Sequence, residues 1–233
     1  MIADSASLHT FVEAGQFIGH NPGLLATKTL EQLELSGAAL GIALAVALPI
    51  GIALGHLHRG STLAIGASIV GRALPSLVLI GAFLTVLGIG FVNNMVALAV
   101  LATGPLLTNS FDGVDGVDRD AVEAARGMGM TGPQILRRVE LPLATPLLFT
   151  GLRVAAVTVV ATAPIAAIAG GGGLGDIIVN QASYRLSGVL GASLCVMALS
   201  AAVFVGLIGL QVAVTPRGLR GTRVEAQPRK EML

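Results

Sequence analysis

The residues able to do chemistry are few, and most lie in one polar segment, FDGVDGVDRDAVEAARGMGMTGPQILRRVELPLATP, over residues 111–146. His56 and His58 form an HxH pair but lack a third ligand nearby, so zinc is not expected. Gly66 with Ser68, and Gly191 with Ser193, are GxS fragments that an intramembrane serine protease would need. Yet His9, His20, His56 and His58 all lie outside the apolar stretches, leaving no base for either serine. Gly170, Gly172 and Gly175 match GxGxxG, but they follow an apolar run and not a strand, so a dinucleotide site is not expected. Neither Lys28 nor Lys230 falls in a GxxxxGK[ST] sequence, so ATP must be hydrolysed elsewhere. The single cysteine, Cys195, excludes an internal disulfide or thiolate zinc cluster.

The elements that hold these residues are set by composition. Of 233 residues 54% are hydrophobic and 12% charged, with 31 glycines, one tyrosine and no tryptophan. Charge is about half the 25% of soluble domains, and the apolar residues come in blocks. Five are long enough for a hydrocarbon core of about 30 Å: residues 35–55, 61–87, 95–111, 146–169 and 188–214. An all-α polytopic membrane protein follows. Residues 1–34 form an extracytoplasmic segment whose Leu24, Leu25, Leu30 and Leu33 have helical spacing. It lacks the basic start and long apolar run of a cleaved signal peptide. Residues 215–233 form a basic tail, and a net charge of +1 gives no reason to expect nucleic acid.

Basic residues orient the spans. With Arg72 and Arg153 set aside inside spans, ten cations (Arg59, Arg119, Arg126, Arg137, Arg138, Arg217, Arg220, Arg223, Arg229, Lys230) fall on one side and two (Lys28, Arg185) on the other. The richer side is cytoplasmic by the positive-inside rule. The N-terminus is then outside and the C-terminus inside.

Within the cytoplasmic insert 112–145, residues 120–126 read as a short helix ended by Gly127 and Gly129. A second starts at Thr131, with Pro133 in its first turn and Gln134 closing a capping box. Leu141 and Pro142 should stop it, and Pro146 should open the next span. Patterning alone allows a loop that merely caps the bundle.

Glu123, Ala124, Ala125, then Gly129, Val139, Leu141 and Pro142 occur at fixed spacing. This insert resembles the EAA loop of ABC importer permeases, with Val139 where the consensus has isoleucine. The runs RALPSLVLIGAFLTVLGIG from Arg72 and GGGGLGDIIVNQ from Gly170 extend the resemblance to the permeases for compatible solutes (glycine betaine, choline, carnitine and proline), over about 35–214. The resemblance implies a type I importer permease fold and a bacterial inner-membrane location. It also implies a second permease, either a copy or a paralogue. Cytoplasmic ATPases would carry ATP and magnesium, and an extracytoplasmic solute-binding protein, expected as a separate chain, would deliver the solute. Residues 129–138 would be the coupling helix, set in a groove of the ATPase. Glu123, Ala124, Ala125, Arg126, Gly127, Met128, Gly129, Met130, Thr131, Pro133, Arg137, Leu141 and Pro142 would form that contact, with Arg138 at its rim. Gly127 and Gly129 would permit the reversal of the chain.

Solute should pass where helices are interrupted near mid-membrane. Pro75, Ser76, Thr158, Thr162 and Pro164 are candidates, although small residues and threonines also serve ordinary helix packing. Gly172, Gly173, Gly175 and Asp176 could form an outer gate or a merely flexible turn. Without tryptophan the chain cannot build an aromatic cage for a quaternary ammonium, so selectivity is expected in the separate receptor. A permease for amino acids or another small solute, and a passive channel, are the alternatives.

Overall fold

The structure, a computed structural model, describes residues 2–60, 62, 66 and 75–214. The first part of the expected second span, with Arg72, and the tail 215–233 lie outside them. Among the described residues every regular element is helical. Four helical stretches are long and apolar enough to cross a membrane: Pro22–His56, Phe91–Asp115, Gly132–Ala169 and Gln181–Val214; Ser76–Leu87 is a shorter apolar helix.

Helix α1 (Ile2–His20) turns at Asn21, whose side-chain amide donates to the Phe17 carbonyl at 3.0 Å. Helix α2 (Pro22–His56) then runs unbroken for 35 residues. The leucine-bearing segment 21–34 therefore continues the first span as one helix. At 1.5 Å per residue α2 is about 52 Å long, so it overshoots the hydrocarbon. Ala39, Ala43, Ala47, Gly51 and Gly55 lie four apart on its buried face. They let α4 (Phe91–Asp115) approach closely: a Cβ on Gly51 would sit 2.7 Å from the Leu107 carbonyl oxygen, and one on Gly55 2.8 Å from that of Phe111. Helix α3 (Ser76–Leu87) also packs on α4.

The insert comprises α5 (Arg119–Gly127), α6 (Gly132–Ile135) and a π-helical turn, Leu136–Glu140, that leads into α7 (Leu141–Thr162). Here the expected stop at Pro142 and the start at Pro146 do not occur, because the backbone stays helical across both. The physical reason is the widened turn, in which the Leu141 N–H reaches the Leu136 carbonyl, five residues back. Pro142, which has no N–H, then falls in the first turn of α7, where none is needed. A 3₁₀ segment (Ala163–Ala169), α8 (Gly175–Val179) and α9 (Gln181–Val214) complete the order. The main core, which includes Leu35, Ala39, Leu98, Leu106, Ala155 and Val159, joins α2, α4 and α7.

Candidate coupling site and outer closure

The insert has its own small core. Val122 and Ala125 of α5 bury against Val117 and Ile135, with Met130 and Val139 packed on them. Asp118 caps α5 by accepting from the Asp120 N–H at 2.9 Å. At the far end Met128, Gly129 and Met130 donate to the carbonyls of Ala124, Arg126 and Ala125. Gly129 makes the reversal with φ of +80°, a conformation glycine adopts without steric cost. Gly127 ends α5 inside the helix with open space around its Cβ position, so the reversal rests on Gly129 alone and not on both. The Gln134 side chain accepts from the Thr131 N–H at 2.9 Å, the expected capping contact.

Burial divides the motif by role. Ala125 faces the small core at 1% exposure, whereas Glu123, Ala124, Arg126, Gly127, Gly129, Thr131, Pro133, Arg137 and Arg138 are exposed. Met128 is 71% exposed at the tip. It projects away from the small core, at the turn closed by the Met128 and Gly129 N–H groups. Beside it Pro133, Gln134, Arg137 and Arg138 line a groove of about 420 Å³. Among the described residues Glu123, Arg126, Arg137 and Arg138 make no ion pair. Leu141 and Pro142 are half-buried at the root of α7.

Two carboxylates at this root were not legible as site residues. His56 Nδ1 and Glu140 Oε2 lie 2.6 Å apart, with the Glu140 side chain 3% exposed. His58 Nδ1 lies 2.7 Å from Asp115 Oδ1. The HxH pair thus serves two different carboxylates, and no metal-binding cluster occurs among the described residues.

The opposite end is closed by residues of α2. Lys28 Nζ donates to Asp176 Oδ2 at 2.7 Å and to Glu31 Oε2 at 2.9 Å, while Glu31 Oε2 also accepts from the Gly173 N–H at 2.9 Å. Gly172 and Gly173 have φ of +72° and +77°. A Cβ on Gly175 would lie 2.2 Å from the Pro164 carbonyl oxygen, so this glycine permits packing of α8 on the 3₁₀ segment. Next to it Ala169 accepts from the Gly90 N–H at 3.0 Å and the Asn94 amide at 3.1 Å. Gly172, Gly173, Gly175 and Asp176 are thereby gathered in one closure together with Lys28 and Glu31, which the sequence did not mark.

The expected path residues are not all together. Thr158 lines a groove between α7 and α9 with Thr150, Arg153, Val154, Val157 and Phe204. Pro75 and Ser76 start α3, Thr162 ends α7, and none of these three lines that groove. Pro164 does release a carbonyl, that of Val160, but Gln32 Nε2 occupies it at 3.0 Å. That carbonyl therefore ties two helices and does not face a cavity.

A bundle of apolar helices with a small polar insert folded on its own core at one end is the form of an integral membrane protein. Residues 16–219 match the family described as the binding-protein-dependent transport system inner membrane component. The chain is 35% identical over 208 residues to OpuCB of Bacillus subtilis (strain 168), a glycine betaine/carnitine/choline transport system permease protein, covering 89% of this chain and 96% of that one. It is 37% identical over 206 residues to the carnitine transport permease protein OpuCB of Listeria monocytogenes, covering 88% and 93%. Among solved structures, the methionine ABC transporter MetNI in inward-facing conformations superimposes with a TM-score of 0.72 at 23% identity, over 84% of this chain and 99% of that one. The chain belongs to this family, the integral membrane permease subunits of ABC importers.

Proposed function

We propose that this chain translocates osmoprotectant solutes of the glycine betaine, carnitine, choline and proline type into the bacterial cytoplasm. The observation that carries the solute class is the identity to permeases so named over nearly the full length of both chains. The insert 112–145 docks on a separate ATPase, which holds ATP and magnesium, and a solute-binding protein delivers from outside. A second permease completes the membrane part. Five spans with the N-terminus outside place the insert in the cytoplasm, in keeping with the distribution of basic residues.

Geometry gives the lever. Helical backbone runs from Gly132 to Ala169, so a push on the insert travels along α7 to the Ala169 corner that holds Gly90 and Asn94. The His56–Glu140 contact carries the same push to α2, and α2 bears Lys28 and Glu31 of the outer closure. Movement of the insert on ATP-driven closure of the ATPases therefore acts on the outer closure through packed helices. The test is ATPase activity of the purified complex titrated with receptor and candidate solutes. Stimulation by glycine betaine, choline, carnitine or proline supports the reading, and stimulation confined to an unrelated solute overturns it.

A further inference from the structure

Arg153 is the one charged residue between Glu140 and Asp176. It lies thirteen residues past Glu140 on a continuous helical run, about 20 Å at 1.5 Å per residue, and seven before Val160, which Gln32 holds at the outer end. That depth is well inside hydrocarbon of about 30 Å. Its guanidinium turns back by one helical turn toward the insert and stops there. Nη2 donates to Thr150 Oγ1 at 3.2 Å, Thr150 in turn donates to the Pro146 carbonyl at 2.9 Å, and the Phe204 ring of α9 lies 5.8 Å from the guanidinium carbon. Among the described residues no carboxylate pairs with it. These contacts satisfy one of the five guanidinium N–H groups and leave an opening of about 360 Å³ walled by Val154, Val157, Thr158 and Phe204.

A permanently charged group held at this depth and facing open space is costly against lipid, so it belongs on a water-filled cavity. A second permease set against this face would enclose that cavity between the two chains. We propose that Arg153, braced by Thr150 and Phe204, is a binding site for the solute's carboxylate midway along the translocation path. This rests on the importer reading above and names the chemistry of that path. A guanidinium accepts a carboxylate through paired N–H groups, while the walls of Val154, Val157 and Phe204 suit a methylated ammonium end. One ring is too little for a cage, so the solute is held weakly enough to leave. Choline has no carboxylate and gains nothing from Arg153.

The test uses the full complex with its receptor in proteoliposomes. Uptake of glycine betaine and of choline is measured for the native chain, Arg153→Gln and Arg153→Lys. Loss of a charge-assisted contact should lower glycine betaine uptake relative to choline by about tenfold or more in Arg153→Gln, with partial recovery in Arg153→Lys. Retained choline uptake shows that Arg153→Gln still folds. Equal loss of both solutes overturns the site, because Arg153 would then pair with the protein, and an unchanged ratio overturns it too. A second arm places Arg153→Cys in a Cys195→Ala background and adds a charged, water-soluble thiol reagent to native membranes. Labelling slowed by glycine betaine supports the cavity, and absence of labelling overturns it. Native complex that takes up none of glycine betaine, choline, carnitine and proline refutes the osmoprotectant reading itself, and this site with it; native uptake of glycine betaine and choline with an unchanged ratio refutes the site alone.

Discussion

The side-chain amide of Gln32 donates to the Val160 carbonyl at 3.0 Å, and that carbonyl is the one left without a helical donor by Pro164, four residues on. The contact fastens α2 to α7 beside the outer closure. Gln32 is 2% exposed, so removing it strands a buried acceptor. We expect Gln32→Leu to destabilise the purified protein by about 1–2 kcal/mol, read as a lower melting temperature in detergent. An unchanged melting temperature contradicts this role.

At the insert, Gly129 and Gly127 should behave oppositely. Gly129→Asp forces a side chain into the positive-φ conformation, at about 1–3 kcal/mol of strain, and disturbs the surface proposed to meet the ATPase. Membrane insertion should persist while ATP-dependent uptake is lost. Gly127→Ala lies in a helix with open space around it and should transport normally. Normal transport by Gly129→Asp vesicles refutes the coupling role.

Met128 separates folding from docking. Its side chain contributes little to the insert's core, so Met128→Asp should leave the melting temperature unchanged. Retention of the ATPase on a permease affinity column should weaken by about 2 kcal/mol, roughly thirtyfold. Equal retention of both forms contradicts the placement of Met128 in the contact.

His56→Ala removes the donor beside a carboxylate that is 3% exposed. Because His56 is itself a quarter exposed, we expect a loss of about 2–3 kcal/mol, at the low end for a broken buried pair. Pairing the change with Glu140→Leu should recover part of that loss, and strict additivity of the two changes would show that the residues act separately.

The Lys28–Asp176 closure predicts a functional change without a structural one. Lys28 and Asp176 are part-exposed, 20% and 36%, so Lys28→Ala should alter stability by at most about 1 kcal/mol. Loosening the closure should raise ATP hydrolysis in the absence of receptor by up to about fivefold. A basal rate equal to that of the native complex argues against a latch.

The parts legible in the sequence are local ones. Apolar blocks marked spans because bilayer thickness sets their length, and the insert showed itself through short-range chemistry: Asp118 to Asp120, the Gly129 reversal, Thr131 to Gln134. The contacts that close the molecule are distant in sequence. Lys28 meets Asp176 across 148 residues, Gln32 meets Val160 across 128 and His56 meets Glu140 across 84. No periodicity encodes such pairs, so Glu31, Gln32 and Glu140 carry no mark in the sequence, and His56 shows only as half of an HxH pair. Pro142 misled for a related reason, since a proline reads as a stop unless the preceding turn widens to receive it. Arg185, with φ of 59° inside α9, is a corner that no glycine or proline announces.

The central claim is that this permease moves solute uphill through energy received at residues 112–145. Its most direct test is accumulation of labelled glycine betaine in proteoliposomes holding the complex, with ATP on the insert's side and loaded receptor on the other. We expect accumulation above the external concentration that needs both ATP and receptor and disappears in Gly129→Asp. Uptake that stops at equal concentrations, or proceeds without ATP, contradicts the account.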